Sequence, residues 1–265
     1  MLRIINAVLR GLLVLVVIAA PSYLLPGATP TGQDLSLIIG GLAGLFTIWE
    51  YGTLRPGFVD FRFAPPYNRI RFFGFVVFLF AIVFLCRSNE GADAFAADFL
   101  AFADRMVELA AFPLSPAALA GQIVAMGEDE ALALLISRAT ALSLVVAIGL
   151  VAVSMFFIWL MRWPVDRAGF NLWDNVPSMT PGGNKDIVYR LRRNGMINCI
   201  VAATLPFMLL VMVARSGGWF DPTALENYQS LLWGCVVWAY VPAALFIRGQ
   251  AFMKLAWLID RAREV

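Results

Sequence analysis

The sequence predicts an all-α protein, a polytopic membrane bundle of six transmembrane helices with an amphipathic helical segment on the extracytoplasmic side. Its composition is 61% apolar and 14% charged, and its mean hydropathy is +0.78. A soluble domain has a very different balance. The apolar residues form six runs, and about 20 such residues cross a hydrocarbon core about 30 Å thick as a helix. Helices are favoured because they satisfy their own backbone polar groups where water is absent.

The basic residues predict the orientation of these spans. Sixteen of the twenty Lys and Arg residues fall in four short segments that alternate with the apolar runs. Basic residues near span ends resist translocation, so these segments and both termini are expected to be cytoplasmic. The other side keeps four arginines, Arg87, Arg105, Arg138 and Arg215. We therefore expect a multi-pass protein of the cell inner (cytoplasmic) membrane.

The chain is expected to form a single membrane domain. The six spans are predicted at about residues 5–25, 35–52, 70–86, 139–161, 196–214 and 229–247. An extracytoplasmic helical insert occupies about 87–138, cytoplasmic loops occupy about 53–69 and 162–195, and a cytoplasmic tail covers 248–265. No nucleotide-binding loop, heptad run or low-complexity tract suggests a second domain.

The first run resembles a signal peptide, because Arg3 precedes it and Arg10 interrupts it. Ile18 stands where cleavage requires a small residue, and Pro21 directly follows Ala20. We therefore expect a retained helix in which the Arg10 side chain extends towards the lipid headgroups.

Small residues recur at every fourth position of the second span and the turn before it. They are Gly32, Ser36, Gly40 and Gly44. Such a stripe lets two helix backbones approach closely, and van der Waals packing then holds the helices together in lipid. We interpret it as a helix-packing face, used within this chain or against a partner.

The insert begins with an amphipathic pattern. Its apolar face consists of Phe95, Phe99, Phe102, Met106 and Leu109, while acidic residues take the other face. One interpretation is a helix that rests at the interface or packs over the bundle, and the other is a docking face for a partner subunit. The acidic face does not favour anionic lipid. After it, Ser115 and Pro116 predict the start of a second short helix.

The cytoplasmic segments should contact lipid headgroups. Their candidate residues are Arg55, Arg69, Arg71, Arg167, Arg190, Arg192 and Arg193. Lipid phosphates lie closer to these side chains than a nucleic acid would, so no nucleic-acid partner is expected. The similarity of residues 55–58 to residues 167–170 indicates either a repeat of two-span units or the usual gathering of aromatic and basic residues at interfaces.

The residue types disfavour most catalytic chemistries. The chain contains no histidine, which excludes imidazole-bound haem and Ser-His-Asp catalysis. Its three cysteines, Cys86, Cys199 and Cys235, lie in or at the ends of apolar runs and suggest no disulfide framework. We therefore predict no catalytic residue, no metal site and no cofactor, although an enzyme is not excluded.

The membrane core also disfavours ion-coupled transport, because no ionisable residue lies centrally in a predicted span. Glu50, at the end of the second span, is interpreted as a solvated or locally paired charge. The leading hypothesis is a non-catalytic subunit that acts in structure, assembly or anchoring of a larger membrane complex, with a membrane-protein partner or a second copy.

Two alternatives remain. A permease or channel component is favoured by Pro206 and Pro242, which predict kinks in the fifth and sixth spans because proline lacks an amide hydrogen. A membrane-bound lipid-modifying enzyme would have to use interfacial carboxylates such as Asp166 and Asp174.

Overall fold

The computed structural model describes residues 2–54, 57–124, 130–161, 163–164, 171–177, 179, 186–216 and 220–263. Throughout these residues the regular structure is helical, which confirms the all-α class. The α-helices are α1 (Leu2–Leu24), α2 (Pro30–Gly52), α3 (Tyr67–Glu90), α4 (Ala94–Ala110), α5 (Pro116–Val124), α6 (Glu130–Met155), α7 (Leu172–Asn175), α8 (Ile187–Ala214), α9 (Tyr228–Cys235) and α10 (Val241–Arg263).

Six helical segments in the described part are long and apolar enough to cross a membrane. They are α1, α2, α3, α6 with the π-helical turn Phe156–Leu160, α8, and the continuous segment Tyr228–Arg263. Their outer surfaces carry large apolar side chains, and Leu42 of α2 and Met212 of α8 are 64% and 67% exposed. Lipid tolerates such a surface and water does not. The chain is a multi-pass helical membrane protein.

Several helices are longer than the apolar runs that predicted them. α8 begins at Ile187, whereas the span was predicted from residue 196, and the last helix continues to Arg263. A hydropathy pattern ends at the first charged residues. A helix continues past them wherever its backbone hydrogen bonds and packing persist.

The centre of the bundle is formed by α3, α6 and the last membrane-spanning segment. Leu79 and Ile82 of α3, Leu142 of α6 and Leu232 of α9 are buried in one apolar cluster there. α8 packs mainly against α10. The hairpin of α1 and α2 lies at the side of the bundle, where α1 contacts α3.

Polar contacts mark the two ends of the bundle. At one end Asp186 pairs with Arg263, and Arg10 lies over the ring of Tyr51. We call this the arginine-rich end, because most described arginines of the predicted cytoplasmic segments lie there. At the opposite end, Arg87 Nη1 donates to Leu24 O at 3.1 Å.

The two prolines predicted to kink helices are accommodated in different ways. Pro206 lies inside α8, which continues through it. Pro242 follows the π-helical turn Val236–Tyr240, where Val241 N donates to Val236 O. The wider turn gives the proline ring space. It also tolerates the loss of one backbone hydrogen bond, because proline has no amide hydrogen to donate.

Both helices expected in the insert are present. Asp93 caps α4 by accepting from Ala96 N at 2.8 Å, and Ser115 accepts from Ala118 N at 3.4 Å at the start of α5. α4 packs against α3 and α6. The insert therefore forms a layer over one end of the bundle.

Candidate functional site

The connection between α2 and α3 folds back onto the end of α2. The Glu50 carboxylate accepts hydrogen bonds from the backbone amides of Gly57, Phe58 and Val59, at 3.0 to 3.2 Å. Glu50 is buried. Three backbone donors replace the water that a carboxylate would otherwise need. Glu50 is therefore a locally paired charge that organises this connection.

Arg62 completes the end of α2. Its guanidinium donates to the carbonyl oxygens of Glu50 and Tyr51 in the last turn of α2, and to that of Thr53, which directly follows the helix. The last carbonyls of a helix have no backbone N–H partner within it, and a cation at a helix C-terminus is favoured by the helix dipole. Burial of its head lowers the pKa of Arg62, but arginine stays charged at neutral pH.

Phe61 anchors the connection in the bundle. It has a positive φ of 58°, and its amide donates to Asn175 O at 2.6 Å. Its buried ring lies 4.6 Å from the ring of Tyr67, 5.1 Å from Trp163 and 5.8 Å from Phe252. These contacts join the two predicted cytoplasmic loops to α3 and α10.

Beside this aromatic cluster lies a buried ion pair. Arg248 Nε donates to Asp60 Oδ2 at 2.7 Å, and the Asp60 side chain is 6% exposed. The other carboxylate oxygen, Oδ1, and the Tyr67 hydroxyl are buried without a hydrogen-bond partner among the described residues. Burial raises the pKa of Asp60 above its ordinary value, against the opposing charge of Arg248. The pair links the first loop to α10.

The charged groups that act on the Asp60 carboxylate are arginines, Arg248 first and then Arg71. Among the described residues, no three His, Cys, Asp or Glu side chains are grouped to hold a metal ion. Asp174, suggested for lipid chemistry, is exposed on α7, and Asp166 lies outside the described residues.

The seven candidate headgroup arginines do not share one environment. Arg69 and Arg193 are exposed, whereas Arg71 is half-buried against the Tyr67 ring. Arg192 pairs with Asp260 of α10. Arg190 lies on the first turn of α8 and also has an interaction partner.

Two of the candidate arginines, Arg55 and Arg167, lie outside the described residues. The same holds for residues 167–170, the second copy of the similarity that suggested an internal repeat. Contact with lipid headgroups therefore stays a prediction for this surface.

The small-residue stripe of the second span faces α1. A Cβ atom placed on Gly44 would lie 2.8 Å from Gly11 O, and one on Gly40 would lie 3.0 Å from Leu15 O. Such distances leave no room for a larger residue against a backbone atom. At Gly41, one position further round α2, a Cβ would meet nothing within 4 Å.

The Gly32–Ser36 end of the stripe belongs to a polar cluster. Ser36 is hydrogen-bonded to Ser22 of α1. Gln229 Nε2 donates to both hydroxyls, at 2.9 Å for Ser22 and 2.8 Å for Ser36, and to Gly32 O at 3.0 Å. Gln229 of α9 thereby ties the first hairpin to the last membrane-spanning segment.

The residues of the apolar face of α4 differ in burial. Met106 is buried, and Phe99 packs against the central core. Phe95, Phe102 and Leu109 stay exposed, at 60%, 44% and 66%. Docking of a partner thus stays a prediction for the exposed three.

The acidic side of α4 also makes an internal contact. Arg138 of α6 holds Asp104 through two hydrogen bonds, of 2.7 and 2.9 Å. Paired donors of this kind orient a guanidinium and a carboxylate firmly. The bond fixes α4 over α6.

Sequence reasoning missed a second close helix contact. A Cβ on Gly249 of α10 would lie 2.7 Å from Gly195 O, and one on Gly195 would lie 2.9 Å from Gly249 O. A signal was available in α8, where Gly195, Cys199 and Ala203 recur at every fourth position.

An apolar groove, also missed, separates α6 from α8. Its middle part has a volume of about 300 Å³ and adjoins an apolar cavity of about 440 Å³ nearer the opposite end, with Trp238 lining both. We call the middle part the alanine groove. Its lining includes Ala147 of α6, Ala202 and Ala203 of α8, and Ala239 and Ala243 at its floor.

Comparison with known proteins gives no relative from which a function could be transferred. No family model, no curated protein and no solved structure matches this chain. The function has to be argued from the geometry alone.

Proposed function

We propose that this chain is a non-catalytic integral subunit of a larger membrane complex, which it helps to assemble or anchor. The observation that carries the proposal is the alanine groove beside α8. The most apolar stretch of α8 is only 11% buried, the lowest value among the six membrane helices. Although α8 packs against α10, this stretch therefore has surface available for another helix.

The lining of the alanine groove favours a helix as its occupant. Small residues let backbones approach closely, and in lipid this packing is what holds helices together. Large side chains such as Leu42 cover the outward face of α2 instead. Five alanines, set among larger apolar residues such as Ile148 and Trp238, leave a recess that suits the ridge of a partner's transmembrane helix.

The buried cluster at the arginine-rich end supports the same role. Asp60, Glu50 and Arg62 are all engaged in contacts that hold loops and helix ends together. Rigid loops keep the membrane helices in a fixed arrangement, which a scaffold for other subunits requires.

Site-specific photocrosslinking in native membranes tests the proposal. A photoreactive residue at Ala203, which is exposed in the alanine groove, is expected to give a discrete adduct with another membrane protein or a second copy. The matched control is the same residue at Leu42, on the outward face of α2, where only lipid adducts are expected. Equal protein crosslinking at both positions, or none at Ala203, would contradict the proposal.

A bulky substitution adds an independent test. Ala203→Phe is expected to fill the alanine groove and abolish co-purification of the partner in mild detergent, while Leu42→Phe leaves it intact. The folded state of both variants is checked by thermal unfolding. A wild-type chain that purifies as a stable monomer without partners would count against the whole proposal.

We place the arginine-rich end at the cytoplasmic face of the inner membrane, with α4 and α5 outside. The support is the basic-residue bias, because arginines near span ends resist translocation. In a variant without the native cysteines, Cys introduced at exposed Arg105 should react with an impermeant maleimide in intact cells. Cys at exposed Arg193 should react only after lysis, and the reverse pattern would invert the topology.

A permease or channel component is the second candidate, because Pro206 and Pro242 both line the alanine groove. Helices interrupted by proline can create solute sites in transporters. Reconstitution into liposomes with flux assays separates the two: passage of a solute that Ala203→Phe blocks would favour transport over assembly.

A further inference from the structure

A second crevice lies at the arginine-rich end, between the α1–α2 hairpin and the start of α3. Its volume is about 300 Å³, and it is separate from the alanine groove. Arg10 and Tyr51 line it from the hairpin, and Asn68 and Arg69 line it from α3. These four side chains give it a polar, cationic rim.

Apart from Asn6 and Thr47, the remaining lining of the crevice is apolar. Leu13 and Val14 of α1 lie on one side, one turn further into the membrane than Arg10, and Phe72 and Phe73 of α3 lie on the other. The deeper part of the crevice is therefore apolar except for Thr47, whose hydroxyl donates to Ala43 O within α2. This arrangement suits a phospholipid, because its charged headgroup would lie at the cationic rim and its acyl chains against the apolar residues further into the membrane.

The positive charge at the rim has no internal counterion. Among the described residues, neither Arg10 nor Arg69 lies within 4.0 Å of a carboxylate. The Arg10 guanidinium stacks over the Tyr51 ring, with its carbon 4.7 Å from the ring centroid, and Arg62 approaches the same ring at 5.3 Å. Both arginines also experience each other's charge.

The neighbouring carboxylates are already engaged elsewhere. Glu50 accepts three backbone amides, and Asp60 pairs with Arg248. An anion held against Arg10 and Arg69 would therefore meet net positive charge. Arginine suits phosphate because its planar group can donate two parallel hydrogen bonds.

We propose that this crevice binds one anionic phospholipid, with its phosphate against Arg10 and Arg69 and an acyl chain between Leu13 and Phe73. The bound lipid fills the gap between the hairpin and α3. It thereby stabilises the attachment of α1 and α2 to the bundle. This site is independent of the proposed partner in the alanine groove.

The test is lipid titration of the full chain purified in zwitterionic detergent. Added phosphatidylglycerol is expected to raise the thermal unfolding midpoint, and native mass spectrometry is expected to show one retained lipid. Phosphatidylcholine and inorganic phosphate serve as separate arms. An equal shift with phosphatidylcholine, or with inorganic phosphate, would overturn the proposal.

Matched variants locate the site. Arg10→Gln and Arg69→Gln are each expected to weaken phosphatidylglycerol binding about fivefold, the effect of one basic residue near an anionic surface. Arg261→Gln removes the same charge from an exposed position on α10, at the same end of the bundle and outside the crevice, and is expected to leave binding unchanged. Equal weakening in all three variants would show a diffuse charge effect and overturn the site.

Charge and shape can be separated within the crevice. Leu13→Trp fills the acyl position and keeps both arginines, so it is expected to abolish the one retained lipid. Arg69→Lys keeps the charge and should bind more tightly than Arg69→Gln. If Arg10→Gln does not fold, the affinities of Arg69→Gln and Arg69→Lys for phosphatidylglycerol still test the site, because Arg69 is exposed.

Discussion

At the scale of single residues, Asp60 and Arg248 show how a buried charge is tolerated in this protein. Asp60 is almost fully enclosed, whereas the Arg248 side chain is 33% exposed and its guanidinium also lies 5.1 Å from the Phe252 ring. The two partners therefore differ in how much they depend on each other. Asp60 loses its hydrogen-bonded counter-charge if Arg248 is removed and keeps only the weaker effect of Arg71, whereas Arg248 without Asp60 can still reach water.

This difference predicts an asymmetry between substitutions. Arg248→Met is expected to lower the free energy of unfolding by about 3 kcal/mol, because it leaves a buried carboxylate unpaired. Asp60→Asn is expected to change it by less than about 1 kcal/mol, since the amide is neutral and keeps the shape. Denaturant titration in detergent micelles measures both. A larger loss for Asp60→Asn than for Arg248→Met would contradict this reasoning.

The same carboxyl predicts a pH dependence. Because burial raises the pKa of Asp60 in the folded state, its contribution to stability is complete below the ordinary carboxyl pKa and declines as the pH rises through the folded value. Relative to Asp60→Asn, the wild type should therefore gain stability on acidification. A constant difference from pH 4 to pH 8 would show that Asp60 is not shifted.

At the scale of helices, pairs of glycines determine which neighbours come into closest contact. Gly11 and Gly44 bring α1 and α2 together, and Gly195 and Gly249 do the same for α8 and α10. Each pair removes side chains where one backbone passes over the other. The stripe in α2 was recognisable in the sequence because its residues repeat every four positions along one helix. Its partner Gly11 was not, because a single glycine in α1 carries no such pattern.

Replacement of a glycine tests the role of the close contact. Gly44→Leu is expected to separate α1 from α2 and to cost about 1–3 kcal/mol, because a side chain would meet the Gly11 carbonyl. Gly41→Leu, on the same helix, has open space and should change stability by less than about 0.5 kcal/mol. Thermal unfolding in micelles compares them. Similar losses in both variants would mean that leucine is simply unfavourable in this helix.

At the scale of the whole molecule, the chain divides into a hairpin and a larger bundle. The α1–α2 hairpin meets the rest through α3, through Arg87 and through Gln229. The central core of α3, α6 and the last segment is far more extensive. Few contacts at a boundary permit local opening at lower free energy than global unfolding.

The glutamine at this boundary predicts how the two parts separate. Gln229→Leu removes the amide group that donates to the hairpin and is expected to weaken its attachment by about 1 kcal/mol, a usual size for such bonds in membrane proteins. Hydrogen–deuterium exchange should become faster in α1 and α2 and stay unchanged in α3 and α6. The control Thr204→Val removes a hydroxyl that bonds only within α8. Uniform acceleration along the chain would contradict a separate hairpin.

The sequence by itself determined the class of protein, the number of spans and the two helices of the insert. These properties are local: hydropathy over about 20 residues decides whether a segment suits lipid, and cap residues such as Ser115 decide where a helix begins. The basic-residue bias likewise predicts the orientation, because translocation responds to charge near each span. No knowledge of neighbouring helices is needed for any of these inferences.

Only the tertiary structure decided which residues form the candidate sites. Asp60 meets Arg248, and Gln229 meets Ser22, across separations of 188 and 207 residues. Each residue looked like an ordinary loop or helix-end residue in the sequence. The alanine groove and the crevice between the α1–α2 hairpin and α3 likewise depend on which helices are not in contact. The six helices have similar hydropathy, so hydropathy does not show which of them are neighbours. Packing across the whole bundle determines which helices are adjacent, and therefore which distant residues meet.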